Sequence, residues 1–433
     1  MGVDLNIFLN KKILIYGLGK SGISAFNFLK GENDVYLYDD FKLNLKDSIL
    51  QKYLINSNKV SKLEIDLIIL SPGIDINKCN LNKFLKKNNH KIYSDLDVFY
   101  EFYKNDSITI TGTNGKSTTC QLLYEILSKQ KYNVKLVGNI GNPILSINNV
   151  KKKTIFIIEA SSYQLEYSKI FKSKFAAILN LSNDHIERHG TLNNYVKAKF
   201  KLLKNQDKGH FAFLKRDDRL IQKEFRSNKF KSKIIKVNTK KNIPFLKKIE
   251  NNYFLTENNR ENLAFIIEIS KKLKLKKSLL IKSITNFKGL KYRQQIIYKK
   301  KNLMIINDSK STSFSSSLGI LKKNSKIFWL LGGIYKKGDK FNLPRKYFKN
   351  INAFIYGEKK SFFINKLKGK IHYYDFKDIN DALKKVFSLI EKHKSLSKTI
   401  LFSPCAASFD NFRNFEERGF YFNKLVKKYL NGI

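Results

Sequence analysis

Eight residues, Thr111-Gly-Thr-Asn-Gly-Lys-Ser-Thr118, constrain this chain more than any other stretch. A strand-like run, 107–110, precedes them. A helix-like run, 117–129, follows, with Leu122, Leu123, Ile126 and Leu127 at helical spacing. A strand, a glycine turn and a helix start present backbone N–H groups and a positive dipole end to an anion. Lys116 is placed to reach the terminal phosphates of a nucleoside triphosphate, and the Ser117 hydroxyl to ligate Mg²⁺. The general phosphate loop carries a glycine five residues before its Gly-Lys pair; that position is Ile110 here. An ordinary Gly/Asn/Thr turn before a helix is the plainer alternative.

With 433 residues and 42% hydrophobic content, the chain is expected to be globular and to form two or three domains. No run approaches the ~18 to 20 apolar residues of a membrane helix. The first residues lack the pattern of a secretory leader, so a cytoplasmic location without membrane insertion is expected. The three cysteines, Cys79, Cys120 and Cys405, are widely spaced and suggest neither a disulfide framework nor a metal cluster. Net charge is +47, which raises nucleic-acid binding. Lysine is spread along the whole chain, however, as a coding bias toward Lys, Asn, Ile, Phe and Tyr would produce, so no nucleic-acid partner is expected. The lysine-rich run 229–248 reads as solvated surface. The positive field would still draw in anionic small substrates.

Strand-like and helix-like runs alternate nearly throughout, which predicts α/β domains with mainly parallel sheets. A strand at 12–16 leads into Gly17-Leu-Gly19-Lys-Ser-Gly22 and a helix-like 23–30. A second strand, 35–38, ends at Asp39 and Asp40. The pattern is a dinucleotide fingerprint, although the same turn holds any diphosphate on a helix N-terminus. A strand at 67–70 runs into Ser71-Pro-Gly73. The expected organisation is a Rossmann-like domain at 1–105, a central P-loop ATPase-type domain at 106–289 and a Rossmann-like C-terminal domain at 290–433. Further strands are predicted at 154–158, 175–181, 210–214, 303–306, 327–331, 353–356 and 399–402, and an amphipathic helix at 260–273.

Carboxylates at the carboxyl ends of strands are where α/β proteins place catalytic and metal-binding groups. Glu159 opens Glu159-Ala-Ser-Ser-Tyr-Gln-Leu165 directly after a strand, and His185 closes Asn180-Leu-Ser-Asn-Asp-His185 after the next. Together they suit a divalent cation bridging ATP phosphates, Mg²⁺ or Mn²⁺ before zinc. Asn307-Asp308-Ser-Lys310 follows a strand and can address ribose and phosphate; a helix N-cap is the alternative. Ser403-Pro-Cys-Ala-Ala-Ser408 offers small residues with N–H groups suited to carboxylate capture.

These motifs, in this order, resemble the Mur ligase family, the ATP-dependent amide-forming ligases of peptidoglycan precursor synthesis. Gly138-Asn-Ile-Gly141, Asn183-Asp-His185 and the phosphate loop itself match, which explains Ile110 in place of the earlier glycine. The Gly17–Gly22 start, Ser71-Pro-Gly73 and the ending Ser403-Pro-Cys-Ala-Ala-Ser-Phe-Asp-Asn-Phe-Arg-Asn-Phe-Glu-Glu-Arg-Gly419 are similar to its D-glutamate-adding branch. The resemblance implies that UDP-N-acetylmuramoyl-L-alanine, D-glutamate and ATP are the partners of a monomeric enzyme. It implies a UDP-substrate site at Gly17, Leu18, Gly19, Lys20, Ser21, Gly22, Asp39, Ser71, Pro72, Gly73 and Asn139. ATP would be held by Gly112, Thr113, Asn114, Gly115, Lys116, Ser117, Thr118, Asn262, Arg293 and Asp308. Ser117, Glu159, His185 and Lys199 would serve the cations, with Lys199 carbamylated, and Lys116 joins the last three as catalytic. D-glutamate would meet Thr312, Lys336, Ser408 and Phe415. Tyr292-Arg293 stands where the family has His-Arg, and Lys337 competes with Lys336 for its role. A third domain closing to shield an acyl phosphate from water is also implied. Folylpolyglutamate synthase, a relative with a similar phosphate loop, lacks a counterpart to the 17–22 domain.

Overall fold

The computed structural model describes residues 6–41, 48–240, 249, 251–300, 302–322, 325–336, 338–391 and 397–431. Three sheets follow one another along the chain, each in its own α/β domain. The first contains β1 (Lys12–Tyr16), β2 (Asp34–Tyr38), β3 (Leu67–Leu70) and β4 (Ile92–Tyr93), in the order β2-β1-β3-β4 and parallel throughout. The second contains β5 (Ser107–Thr111), β6 (Val134–Gly138), β7 (Ile155–Glu159), β8 (Phe175–Ile178), β9 (Phe211–Lys215) and β10 (Lys233–Val237). Their order is β10-β9-β8-β5-β7-β6, again all parallel. The third contains β11 (Gln295–Lys300), β12 (Leu303–Asn307), β13 (Lys326–Gly332), β14 (Ile351–Tyr356), β15 (His372–Phe376) and β16 (Lys398–Phe402). It runs β11-β12-β16-β13-β14-β15, with β11 alone antiparallel. The expected Rossmann-like, P-loop and Rossmann-like succession is therefore the architecture observed.

The chain divides into two compact units. One comprises Met1–Leu181, His185–Ile243 and Asn262–Ser283, and holds the first two sheets. The other comprises Ser182–Asp184, Pro244–Glu261 and Ile284–Ile433, and holds the third.

Within the first unit, one apolar core runs from Ile13, Ile15 and Phe26 under the first sheet to Phe156, Ile158 and Leu203 under the second. Asp97 ties the two sheets together. It forms a capping box with Ser94 at the start of the helix Asp95–Phe102. Its carboxylate also accepts from the backbone N–H groups of Lys169, Ile170 and Phe171 at 2.8–3.0 Å and from the Ser168 hydroxyl at 3.0 Å. A fully buried carboxylate is tolerable when charge-assisted bonds from several donors replace its water. Its neighbour Asp95 is buried beside Gln164, and burial pushes its carboxyl up to about 6.

In the second unit the third sheet is covered on both faces. Ile327, Trp329 and Leu331 of β13 face one apolar cluster, Phe328 and Leu330 the other. That period of two is what a parallel strand buried on both sides requires.

Five strands escaped the sequence reading: β4, β6, β10, β11 and β15. β10 lies inside the lysine-rich run expected to be plain surface; residues 241–248 of that run lie outside the described ones. The helix after the phosphate loop begins one residue earlier than expected, at Lys116.

Candidate active site

β5 is buried along its whole length and delivers the chain to the phosphate loop. Ile110 is a core residue of that strand, paired in register with Glu159 of β7. A glycine there would leave a hole in the sheet, so the turn begins only at Gly112, with φ +148°. Asn180, at the carboxyl end of β8, braces the loop. Its carbonyl accepts from Thr113 N–H at 2.9 Å, its side-chain oxygen from Asn114 N–H at 2.8 Å, and its amide donates to Asn114 O at 3.1 Å. Gly115 has φ +87°, and a Cβ built on it would lie 2.0 Å from Asn262 Oδ1. Glycine is therefore required twice over, by the left-handed backbone and by the close approach of Asn262. Gly115 caps the helix Lys116–Lys129 without a side-chain hydrogen bond, which leaves the first-turn N–H groups to an anion. Lys116 folds back so that its ammonium donates to the carbonyls of Gly112 and Thr113, each at 2.9 Å. Ser117 and Thr118 are buried in the first turn.

Beside the loop, Glu159 ends β7 and is buried. Asn139 donates its amide to Oε1 at 2.7 Å, while Oε2 is buried with no hydrogen-bond partner. An unpaired, buried carboxylate oxygen is costly and calls for a cation. Lys199, on the helix Leu192–Lys204, is also buried; its ammonium donates to Thr111 Oγ1 at 3.2 Å and lies 4.8 Å from the Tyr195 ring centre. The Tyr195 hydroxyl bonds the Thr113 hydroxyl at 2.9 Å, so the helix bearing Lys199 is tied to the loop at two points. His185 sits in the left-handed region, φ +54°, with Nδ1 2.7 Å from the Tyr163 hydroxyl. Among the described residues no three His, Cys, Asp or Glu side chains converge as a ready-made metal cluster. A hydroxyl at Ser117, one unpaired oxygen on Glu159 and an imidazole fit a hard cation that takes its remaining oxygens from phosphate.

At the carboxyl end of β1, Gly17 has φ +94° and donates its N–H to Tyr38 O at 2.9 Å. The Asp39 carboxylate accepts from Leu18 N–H at 2.6 Å, and the Ser71 hydroxyl donates to Gly17 O at 2.6 Å. A Cβ on Gly22 would fall 1.9 Å from Gly17 O. Gly19 starts the helix Lys20–Leu29 without a side-chain cap, with Lys20 and Ser21 in its first turn. Pro72 and Gly73 form the turn after β3. The glycine turn thus sits where β1 is flanked by β2 on one side and β3 on the other, the crevice in which open parallel sheets bind ligands. Asp39 and Ser71 brace this turn through their own hydrogen bonds.

In the second unit, Asp308 follows β12, buried, accepting from Gln294 N–H and from the Ser403 hydroxyl, both at 3.1 Å. Burial pushes its carboxyl up to about 7, with Arg293 opposing the shift. Arg293 lies between Tyr292 and Gln294, which both have positive φ, and its guanidinium stands 5.7 Å from the Phe415 ring centre. Gly419 accommodates Tyr292, whose ring would lie 2.4 Å from a Cβ there. Arg293, Asp308 and Phe415 are thus neighbours. Thr312 is half-buried in the loop before the helix Phe314–Leu321, and Ser408 is buried, its carbonyl accepting from Phe412 N–H. Lys336 pairs with Asp184 at 2.6 Å; Lys337 lies outside the described residues.

The Mur ligase middle domain family matches residues 110–286. A UDP-N-acetylmuramoylalanine–D-glutamate ligase of Rickettsia felis is 33% identical over 99% of this chain and the whole of that protein. The ligase of the same name from Buchnera aphidicola is 36% identical, over 97% of this chain and 99% of its own. The chain belongs to the Mur ligase family. Among solved structures, the MurF ligase of Thermotoga maritima in complex with ADP is similar with a TM-score of 0.59 and 14% identity, covering 98% of this chain and 99% of that one. The UDP-N-acetylmuramate-alanine ligase of the same organism gives 0.55 at 17% identity, over 98% and 100%. At such identities these two speak for the Mur ligase fold.

Sequence reasoning passed over the residues that hold this Mur ligase site in shape. Asn180 was legible as a polar residue at a strand end, but its partner could not be read. Arg418, buried, donates to the carbonyls of Ser309, Ala406 and Ala407 at 2.7–3.2 Å. It joins the backbone just before Ser408 to the turn at Ser309, and nothing in the spacing announced it.

Proposed function

We propose that this chain is the ATP-dependent ligase that adds D-glutamate to UDP-N-acetylmuramoyl-L-alanine, within the cytoplasm, in peptidoglycan precursor synthesis. The observation that carries this reading is the buried, unpaired oxygen of Glu159 beside a phosphate loop, in a chain similar over its whole length to ligases of that name. A carboxylate is a poor electrophile, so ATP must first convert the L-alanyl carboxylate to an acyl phosphate, and two anions must meet for that. Lys116 and the first-turn N–H groups of the helix Lys116–Lys129 offset the charge of the transferring phosphoryl group. Ser117, Glu159 and His185 would hold Mg²⁺, which when bound neutralises phosphate charge. Asn262, Arg293 and Asp308 would hold the nucleoside, with Gly112, Thr113, Asn114, Gly115 and Thr118 lining the phosphates.

The turn Gly17–Gly22 would take the UDP diphosphate on the helix N-terminus, with Ser71, Pro72 and Gly73 at its rim and Asn139 reaching the muramoyl group. Thr312, Lys336, Ser408 and Phe415 would orient D-glutamate, whose neutral amine attacks the activated carbonyl and expels phosphate. The ammonium of Lys199 is buried where a carbamate would add a second anionic oxygen ligand, which supports its carbamylation. Boundaries near 105/106 and 289/290 separate the three proposed roles.

The test is an amino-acid screen for ADP release in the presence of UDP-N-acetylmuramoyl-L-alanine and Mg²⁺. Release is expected with D-glutamate and not with L-alanine, L-glutamate or a diamino acid. Turnover with a diamino acid in place of D-glutamate would move the chain to another branch of the family.

A further inference from the structure

The helix Ser162–Tyr167 opens on a capping box between Ser161 and Gln164, which fixes its first turn and with it Tyr163. The Tyr163 hydroxyl lies 2.7 Å from Nδ1 of His185, and the two rings meet edge-on at 4.8 Å. The Glu187 carboxylate stands 3.6 Å from the same nitrogen. An anionic oxygen on that side favours a proton on Nδ1, and the tautomer of a histidine is set by the bond its other nitrogen makes. Tyr163 is itself held. The Arg188 guanidinium covers its ring at 5.2 Å. That guanidinium is gripped by Glu166 through two bonds of 3.2 Å and by the Tyr167 hydroxyl at 2.6 Å. Glu166, against the effect of its burial, is kept below the usual carboxylate range by His189 and Arg188, so it is anionic and the grip is charge-assisted. His185 itself stands in a left-handed backbone conformation unusual for a residue with a side chain, at the N-terminus of the short helix Ile186–His189.

We propose that Tyr163 is a positioning residue for His185: its hydroxyl, backed by Glu187, holds the imidazole as the Nδ1–H tautomer and so keeps the lone pair on Nε2 for the cation of the ATP site. Arg188 and Glu166 serve the same end one step further out, by immobilising the Tyr163 ring. The inference rests on the reading that His185 serves the cation. In the sequence, Tyr163 belongs to the same short segment as Glu159, so one strand end and the turn after it supply both a ligand and the orienter of another.

Tyr163→Phe keeps the ring that Arg188 covers and removes only the oxygen, which a thermal melt within a few degrees of the parent would verify. Two measurements on the full-length chain then decide. Imidazole ¹⁵N shifts of His185, recorded metal-free at pH 8, should report the Nδ1–H tautomer in the parent and a mixture in Tyr163→Phe. Mn²⁺ titrated in the presence of ADP and followed by its EPR signal should bind about 10-fold more weakly to the variant. An unshifted tautomer, or Mn²⁺ affinity within twofold of the parent, overturns the role of Tyr163. His185→Ala separates the two readings: Mn²⁺ binding equal to the parent there would remove His185 from the cation site altogether, and Tyr163 with it.

Discussion

Two buried ionisable side chains in this protein, Asp95 and Lys199, yield measurements. Asp95 is buried with only the Gln164 amide for a side-chain partner, at 3.2 and 3.4 Å, and its carboxyl is pushed up to about 6 by burial. An unfolded aspartate titrates near 3.9. Between pH ~4 and ~6 the folded chain therefore keeps a proton that the unfolded chain releases, so this residue's contribution to stability falls as pH rises through that window. Asp95→Asn should flatten the decline, by up to about 1.4 kcal/mol per pH unit, in urea midpoints measured from pH 4 to 7. Parallel curves for parent and variant would show that Asp95 is ionised in the fold. Lys199 gives the second measurement. If it is carbamylated, ¹³C-bicarbonate should produce a carbamate resonance in the parent that Lys199→Arg lacks, and Lys199→Arg should release ADP at least about 10-fold more slowly.

At the scale of elements, the buried strands were readable and the edges, β2 apart, were not. β1, β3, β5, β7, β8, β9, β12, β13, β14 and β16 read as apolar runs because neighbours or helices cover them. The five strands that escaped, β4, β6, β10, β11 and β15, all sit at sheet edges. They are short or interrupted by lysine, histidine and aspartate, the residues that keep an edge from pairing with another chain. The same contrast holds in the site. Lys116, Glu159 and His185 were legible because they stand at strand ends or helix starts. The partners of Asn180, Tyr163 and Arg418 were not, because each lies far along the chain, and no local spacing encodes such a meeting. The phosphate-loop turn is the element most exposed to a single change. Gly115→Ala adds a Cβ to a backbone at φ +87° and drives it into Asn262. We expect a loss of roughly 1–3 kcal/mol in stability and of measurable ADP binding by calorimetry. Retained binding would mean that the loop can be rebuilt around the methyl group.

On the scale of the whole molecule, 433 residues are arranged as three sheets in two compact units, and Asp97 shows why two sheets share one unit. Its carboxylate bridges the cap of the helix Asp95–Phe102 to the backbone at 169–171. Loosening the first sheet would strand those N–H groups, so the two domains stand or fall together. The charge of +47 is carried by lysines distributed over every domain. A positive charge of this size favours anionic substrates, and no helix among the described residues is long and apolar enough to cross a membrane.

The three cysteines turn that partition into something that can be watched. Cys79, Cys120 and Cys405 are all buried, and burial raises each thiol above its ordinary range, so none reacts readily in the folded chain. They fall one to each domain, three native reporters of local opening placed without engineering. Under a denaturant gradient with an alkylating reagent and peptide mass mapping, Cys79 and Cys120 should become reactive together, and Cys405 at a concentration of its own. Separate onsets for Cys79 and Cys120 would mean that the Asp97 tie does not couple the first two domains.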